Sequence, residues 1–137
     1  MSVFEYNFEQ YKSLSPDLYR KEKYNLQVEL LKLQEDVIKK KRKIAICFEG
    51  RDTAGKSSTI NFFSEHLIPS NFNYVHLGIP TKKERKNWFE RYETYLPNKG
   101  QIVLFDRSWY TRALTEPTLG YCSKKQYEEF MTKVNKW

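Results

Sequence analysis

The sequence is poor in cysteine and has no long apolar run. Its two cysteines, Cys47 and Cys122, lie far apart and fit no metal-ligand spacing, which argues against a cysteine-based metal site. The apolar runs stay well below the length of about 18 residues that a membrane-spanning helix needs, and no signal peptide is present. We therefore predict a soluble, cytoplasmic protein without a membrane partner.

Negative charge is scarce relative to positive charge. The 137 residues include 24 Lys and Arg against 17 Asp and Glu, which gives a net charge of +7. Such an excess favours a polyanionic partner, either nucleic acid, a membrane surface or a phosphate-rich substrate. A basic surface without a binding role is the alternative. No repeat or low-complexity linker divides the chain, and its length indicates at most one domain.

A long N-terminal helix is predicted over residues 15–43, after a tail of residues 1–14. Ser15 is a suitable N-cap, and Pro16 suits the first helical position. The apolar stripe expected to pack on the core has the four- and three-residue spacing of a helix face; it comprises Leu26, Leu30, Leu33 and Val37. The basic end, residues 39–43, either interacts with the C-terminal helix dipole or forms part of a path for polyanions.

Beyond this helix, short apolar strands alternate with helices over residues 44–137. The predicted strands are residues 44–48, 73–79 and 101–105. The predicted helices are 56–67, one that begins at the Thr81–Glu84 capping box and one that begins at the Ser123–Gln126 capping box. The side chains expected to point inward are Ile60, Phe63, Leu67, Trp88, Tyr92, Tyr95, Phe130 and Val134. This alternation predicts an α/β fold, with a parallel sheet between helices and a ligand site beyond the carboxyl ends of its strands.

The segment "FEGRDTAGKSS", residues 48–58, follows an apolar strand and opens a predicted helix. It contains G-x-x-x-x-G-K-[ST], the pattern of a phosphate-binding loop. Gly50 and Gly55 allow backbone conformations that point successive N–H groups at one anion. Lys56 can reach terminal phosphate oxygens, and the Ser57 hydroxyl can ligate Mg²⁺. The predicted phosphate-binding residues are Gly50, Arg51, Asp52, Thr53, Ala54, Gly55, Lys56, Ser57 and Ser58.

A phosphate loop needs a second carboxylate for its metal, usually at the end of a neighbouring strand. In "IVLFDRSWY", Asp106 follows four apolar residues and supplies that group. Inside the loop, phosphate would repel Asp52 unless a cation bridged them, so Asp52 is either a metal ligand or the group that positions the acceptor phosphate. Arg51, Arg107 and Arg112 would neutralise charge on the transferred group. These residues indicate phosphoryl transfer between two highly charged partners.

Four segments together resemble the polyphosphate kinase 2 family: "FEGRDTAGKSS", "LPNKGQIVLFDRSWYTRA", "GYCSKKQYEEF" and "LYRKEKYNLQVELLKLQ". The resemblance runs from about residue 17 to the end, in the family's order. It implies a P-loop kinase fold and Mg²⁺-dependent transfer of phosphate between inorganic polyphosphate and a nucleoside mono- or diphosphate. The expected nucleotides are ADP, AMP or a guanine nucleotide, together with ATP. No nucleic-acid partner is expected, and the chain is predicted to form a homo-oligomer.

The resemblance also implies roles for individual residues. Asp52 and Asp106 would act on the metal and on the acceptor phosphate, while Lys56 would contact the transferred phosphate. The catalytic candidates are Asp52, Lys56, Asp106, Arg107 and Arg112. The metal-ligand candidates are Asp52, Ser57 and Asp106. The residues expected along the polyphosphate path are Arg51, Arg107 and Arg112, and further candidates are Glu116, Lys82 and Lys83.

Members of this family continue beyond the position of Trp137, with further strands and a basic lid. We therefore expect an incomplete P-loop kinase core that lacks its C-terminal strands and lid. A parallel sheet needs both faces covered and its edge strands shielded. On its own, the chain is expected to be marginally stable and to have little or no turnover.

Two other functions fit parts of the sequence. A nucleoside-monophosphate kinase resembling thymidylate kinase would also have an acid-containing phosphate loop and an Asp-Arg pair after a strand. The long basic N-terminal helix and "SWYTRA", residues 108–113, argue against it. The second alternative is a truncated, non-catalytic module that binds polyphosphate or nucleotide phosphates. Formation of ATP from ADP and polyphosphate would distinguish the kinase from this module.

Overall fold

A three-stranded parallel sheet lies at the centre of the computed structural model, which describes residues 14–137. Strands β1 (Lys43–Phe48) and β2 (Phe72–Val75) pair with opposite edges of β3 (Gln101–Asp106), in the order β1-β3-β2. Because the strands are parallel, the loops that follow all three lie at the same edge of the sheet. The predicted tail falls outside the described residues, apart from Leu14.

Helices connect and cover these strands. They are α1 (Pro16–Lys39), α2 (Lys56–Ser64), α3 (Lys82–Lys86), α4 (Glu90–Glu93), α5 (Thr115–Thr118) and α6 (Lys124–Lys133). Both predicted capping boxes are present, with side chain and backbone paired reciprocally at the starts of α3 and α6. Within residues 14–137, no helix has the length and apolar character that crossing a membrane requires.

Alternate side chains of β3 enter two separate cores. Ile102 and Leu104 pack with Val37 of α1 and Ile60 of α2 on one face of the sheet. The side chains of the other face belong to β3, β2 and the helical segments that follow them; they are Val75, Trp88, Tyr92, Val103, Phe105, Trp109 and Phe130. The strand therefore lies between two helical layers, which confirms the predicted three-layer α/β sandwich of the P-loop kinase type.

The buried face of α1 differs from the predicted stripe. Val37 is fully buried, but Leu26 is 64% exposed and Leu33 is 38% exposed. Gln34 takes the inward position instead, because its side-chain amide donates to the Ile68 carbonyl at 3.0 Å and accepts from the Ile68 N–H at 2.6 Å. The helix therefore turns a glutamine toward the core to satisfy the backbone of a neighbouring turn.

Helix α1 also ends earlier than predicted, at Lys39 rather than at residue 43. Lys41 adopts a left-handed conformation with φ of 53°, and β1 begins two residues later. Lys40 and Arg42 both form ion pairs with Asp36. This basic end lies at the amino-terminal edge of the sheet, whereas the phosphate loop follows the carboxyl end of β1. A six-residue strand, about 20 Å long, separates the two.

The other differences from the predicted elements are local. Helix α2 and strand β2 each end several residues early, at Ser64 and Val75. The single helix expected after Thr81 is interrupted at Asn87, whose ψ of 60° is not helical. This break lets the Trp88 indole reach the Trp109 carbonyl at 3.0 Å inside the core. Tyr95 is 42% exposed and is not a core residue.

Candidate active site

The phosphate loop joins β1 to α2 in the conformation that its glycines permit. Gly50 has a φ of 149° and Gly55 a φ of 85°, values that disfavour a residue with a Cβ. The Lys56 ammonium donates to the Gly50 carbonyl at 3.3 Å and to the Arg51 carbonyl at 2.9 Å. An ammonium has three N–H donors, so one remains for a phosphate oxygen while the other two hold the loop.

Asp106 lies at the end of β3 and meets the phosphate loop directly. Its Oδ2 accepts a hydrogen bond from the Ser57 hydroxyl at 2.8 Å and another from the Tyr74 hydroxyl at 3.1 Å. His76 Nδ1 lies 3.6 Å from the same oxygen. Burial, and then the hydrogen bond and charge of Asp106, raise the pKa of the Tyr74 phenol. The structure thus brings together two of the three predicted metal ligands.

The donors around Asp106 fit a magnesium ion that is completed by substrate. Within residues 14–137, no three His, Cys, Asp or Glu side chains cluster closely enough to hold a metal by themselves. Mg²⁺ typically takes one or two carboxylates and fills its remaining positions with water and substrate phosphates. The Asp106 carboxylate and the Ser57 hydroxyl match that requirement, since both are hard oxygen donors that lie within 2.8 Å of each other.

Asp52 forms an ion pair with Arg107 across the site. Its Oδ1 lies 2.5 Å from an Arg107 terminal nitrogen, and Arg107 also donates to the Thr115 hydroxyl at 3.0 Å. The Asp52 side chain is 92% exposed, whereas the Arg107 side chain is 25% exposed. A carboxylate inside a phosphate loop is therefore balanced by an arginine from the loop after β3. This pairing offers a role for Asp52 other than direct metal ligation.

Arg112 and Glu116 form a buried ion pair. Arg112 is 2% exposed and Glu116 is 3% exposed; Arg112 Nε lies 2.9 Å from Glu116 Oε2, in an ion pair that is not an aligned hydrogen bond. The guanidinium also stacks 4.0 Å from the centroid of the Trp88 ring. Burial raises the pKa of the Glu116 carboxyl, against the opposing effect of Arg112 and its neighbouring arginines. Arg112 would have to leave this pair to reach a phosphate.

A cavity of about 500 Å³ opens between the phosphate loop and the loops after β2 and β3. Asp52, Asp106 and Arg107 line it, together with apolar side chains that include Leu77 and Ile79. Glu116 contributes to the wall, but Arg112 does not. The exposed candidates Arg51, Lys82 and Lys83 are also absent from this lining. The structure therefore assembles Asp52, Asp106 and Arg107 around one space and leaves the other basic candidates outside it.

Sequence reasoning missed several polar residues of this region. Tyr74 of β2 and His76, one residue beyond that strand, are two positions apart, a spacing that predicts one shared face. Arg91 lies within a predicted helix, where no sequence signal marked it. In the structure it is buried and donates to the carbonyls of Leu77 and Gly78 at 2.9 and 2.7 Å. Glu49 lies inside the quoted phosphate-loop segment, but no local signal pairs it with a partner 59 residues away.

Comparisons with known proteins agree on one family. The family model for polyphosphate kinase 2 matches residues 13–137. The chain is 50% identical over 117 residues to a GDP-polyphosphate phosphotransferase of Mycolicibacterium smegmatis, a match that covers 85% of this chain and 41% of that protein. It is 45% identical over 122 residues to an ADP-polyphosphate phosphotransferase of Pseudomonas aeruginosa, which covers 88% and 40% respectively.

The solved structure of polyphosphate kinase 2 from Arthrobacter aurescens TC1 has the same fold. Its TM-score with this chain is 0.81 at 19% identity, over 99% of this chain and 51% of that one. The chain spans about two fifths of the length of the two curated relatives described above. Because the family model covers nearly every residue, including the phosphate loop and Asp106, the chain belongs to the polyphosphate kinase 2 family.

Proposed function

We propose that this chain contains the phosphate-loop half of a polyphosphate:nucleotide phosphotransferase site. The observation that carries this proposal is the hydrogen bond of 2.8 Å between Ser57 and Asp106, which joins a matched phosphate loop to a strand-end carboxylate. The transfer would be reversible, between inorganic polyphosphate and a nucleoside mono- or diphosphate, with ATP among the nucleotides. The curated relatives described above are named for GDP and ADP as partners of polyphosphate.

The proposed chemistry needs charge neutralisation more than proton transfer. A terminal phosphate oxygen of the nucleotide attacks the last phosphorus of polyphosphate, and the bridging P–O bond of the chain breaks. The attacking oxygen is already anionic, so no side chain has to remove a proton. Lys56, the loop N–H groups and Arg107 would bind the negative oxygens of the transferred group.

Mg²⁺ is the proposed cofactor, and Asp106 with Ser57 would hold it. Bound there, the ion would neutralise charge on the reacting phosphates. Asp52 would orient Arg107 through their ion pair and position the acceptor phosphate, while direct ligation of the metal by Asp52 remains an alternative prediction. The mixed charged and apolar walls of the cavity suit a ligand with both phosphate and apolar parts, such as a nucleotide. A homo-oligomer and a cytoplasmic location stay predictions from the sequence.

The decisive test incubates the 137-residue chain with polyphosphate and ADP and measures ATP, with Mg²⁺ and with a chelator in its place. On its own the chain is expected to form little ATP, and to form it only in the presence of Mg²⁺. AMP and GDP assayed in parallel would identify the preferred acceptor. Polyphosphate binding without any product would favour the non-catalytic alternative. ATP-dependent phosphorylation of thymidylate, without use of polyphosphate, would favour the thymidylate kinase alternative, which the comparisons do not support.

The salt dependence of polyphosphate binding should show whether Arg51 of the phosphate loop or the basic residues 39–43 contact polyphosphate. Affinity should fall steeply with salt, because contacts of Lys and Arg with a polyanion release counterions. Arg51→Gln should reduce the logarithmic slope by roughly one if Arg51 contacts the chain. Replacing Lys39 and Lys41 by Gln should leave the slope unchanged, because that cluster lies at the opposite edge of the sheet. A reduced slope in the lysine variant would restore the polyanion-path interpretation.

A further inference from the structure

Glu49 links the start of the phosphate loop to the segment that follows Asp106. Its Oε1 accepts hydrogen bonds from both the backbone N–H and the hydroxyl of Ser108, each at 2.7 Å. Its Oε2 lies 3.4 Å from the Thr111 hydroxyl, which donates to it. Ser108 is completely buried, so this carboxylate satisfies donors that have no access to water.

The backbone between Asp106 and Ser108 needs such support. Arg107 has a φ of 63°, in the left-handed region that residues with a Cβ seldom adopt. Such conformations persist when the surrounding structure holds them in place. Here the Arg107 N–H donates to the Phe48 carbonyl at 3.0 Å, and the next N–H, that of Ser108, donates to Glu49. Phe48 and Glu49 therefore accept hydrogen bonds from the backbone N–H groups of Arg107 and of the residue that follows it.

This backbone conformation places the Arg107 side chain in the site. From the left-handed turn, the guanidinium reaches Asp52 of the phosphate loop and the hydroxyl of Thr115. Glu49 itself does not line the cavity. Its oxygens are occupied by Ser108 and Thr111, and the proposed transfer needs no base, so neither proton transfer nor contact with substrate accounts for the carboxylate.

We propose that Glu49 is a positioning residue, which acts on phosphoryl transfer through Arg107. By binding the Ser108 N–H and hydroxyl, Glu49 holds Arg107 in the left-handed conformation that delivers its guanidinium to Asp52 and to the phosphates. This inference rests on the proposed function, and it extends that function to a residue without substrate contact. The role requires the acceptor oxygens of Glu49 rather than its negative charge.

A double-mutant cycle tests this role, with kcat/KM for ATP formation from ADP and polyphosphate as the first readout. Glu49→Ala should lower kcat/KM about 10- to 100-fold, the usual range for residues that orient a ligand-contacting group. In an Arg107→Ala background, Glu49→Ala should lower kcat/KM less than about threefold, because the guanidinium that Glu49 positions is already absent. Glu49→Gln keeps a carbonyl oxygen for Ser108 and should restore activity to within about fivefold of wild type. The matched control, Glu35→Ala, alters an exposed glutamate of α1 and should have no effect.

Two further measurements keep the test decisive. If Glu49→Ala does not fold, as judged by circular dichroism, Ser108→Ala removes only the hydroxyl bond and should give a several-fold loss that Arg107→Ala again masks. If the wild-type chain binds polyphosphate without turnover, the proposed function fails, and the same cycle is measured on polyphosphate affinity by calorimetry. Additive losses in either cycle, or a Glu49→Gln variant as impaired as Glu49→Ala, would overturn the positioning role.

Discussion

Lys56→Ala should lower the rate of phosphoryl transfer by about 10² to 10³, the usual cost of removing one donor from a developing charge. The Lys56 ammonium lies in the phosphate loop and donates to the carbonyls of Gly50 and Arg51, which leaves one N–H for phosphate. Substitution removes both the positive charge and the contacts that hold the loop. The measurement is steady-state ATP formation from ADP and polyphosphate.

The fold should survive this change, because the Lys56 side chain lies outside both hydrophobic cores. Lys99→Ala is the matched control, since Lys99 is an exposed lysine just before β3, far from the loop. Circular dichroism and thermal unfolding of both variants would show whether helical structure is kept. Near-normal turnover in Lys56→Ala would contradict the phosphate-loop assignment, and loss of the helical signal would mean that its effect is structural.

Asp106→Asn should lower activity at least 100-fold and shift the remaining activity to higher Mg²⁺ concentrations. The substitution keeps the size of the side chain but removes a hard, charged oxygen ligand. Asparagine can still accept from the Ser57 hydroxyl, so the link between the phosphate loop and β3 should remain. Activity titrated against Mg²⁺ in wild type and variant gives both effects in one experiment.

Two comparisons make this result specific. Asp17→Asn changes an exposed aspartate at the start of α1 and should leave the titration unchanged. Asp52→Asn separates the two roles predicted for Asp52: a metal ligand shifts the Mg²⁺ titration, whereas a partner of Arg107 lowers activity at every Mg²⁺ concentration. A wild-type titration curve for Asp106→Asn would remove the basis for the proposed metal site.

The buried pair of Arg112 and Glu116 shows that a motif does not by itself determine which partners its side chains contact. Arg112, in "SWYTRA", was predicted to neutralise charge on the transferred phosphate and, by the family resemblance, to line the polyphosphate path. The structure instead packs its guanidinium on Trp88 and beside Glu116. Sequence spacing cannot show this, because Trp88 and Arg112 come together only when the two segments fold onto the same face of the sheet. The predicted role of Arg112 at phosphate now requires a rearrangement of that pair.

Local patterns predicted the helix caps, the strands and the phosphate loop, because each depends on residues a few positions apart. Capping boxes at Thr81 and Ser123 join side chain and backbone within one helical turn. The glycines of the phosphate loop and the hydroxyl at Ser57 follow from a pattern of eight residues. The parallel direction of the strands also followed, since strands that alternate with helices form parallel sheets, whereas the order β1-β3-β2 came from the structure.

Tertiary structure alone decided which side chains those elements turn toward one another. The inward face of α1 depends on Gln34 meeting the backbone of Ile68, a contact across 34 residues. Glu49 meets Ser108 across 59 residues, and Asp52 meets Arg107 across 55. Such pairs form because burial leaves polar groups without water, so each must find a partner from whatever element packs beside it. The spacing of residues along the chain does not show which distant partner each polar group will meet. The sequence therefore determined the phosphate loop, whereas only the tertiary structure determined the contacts that hold it.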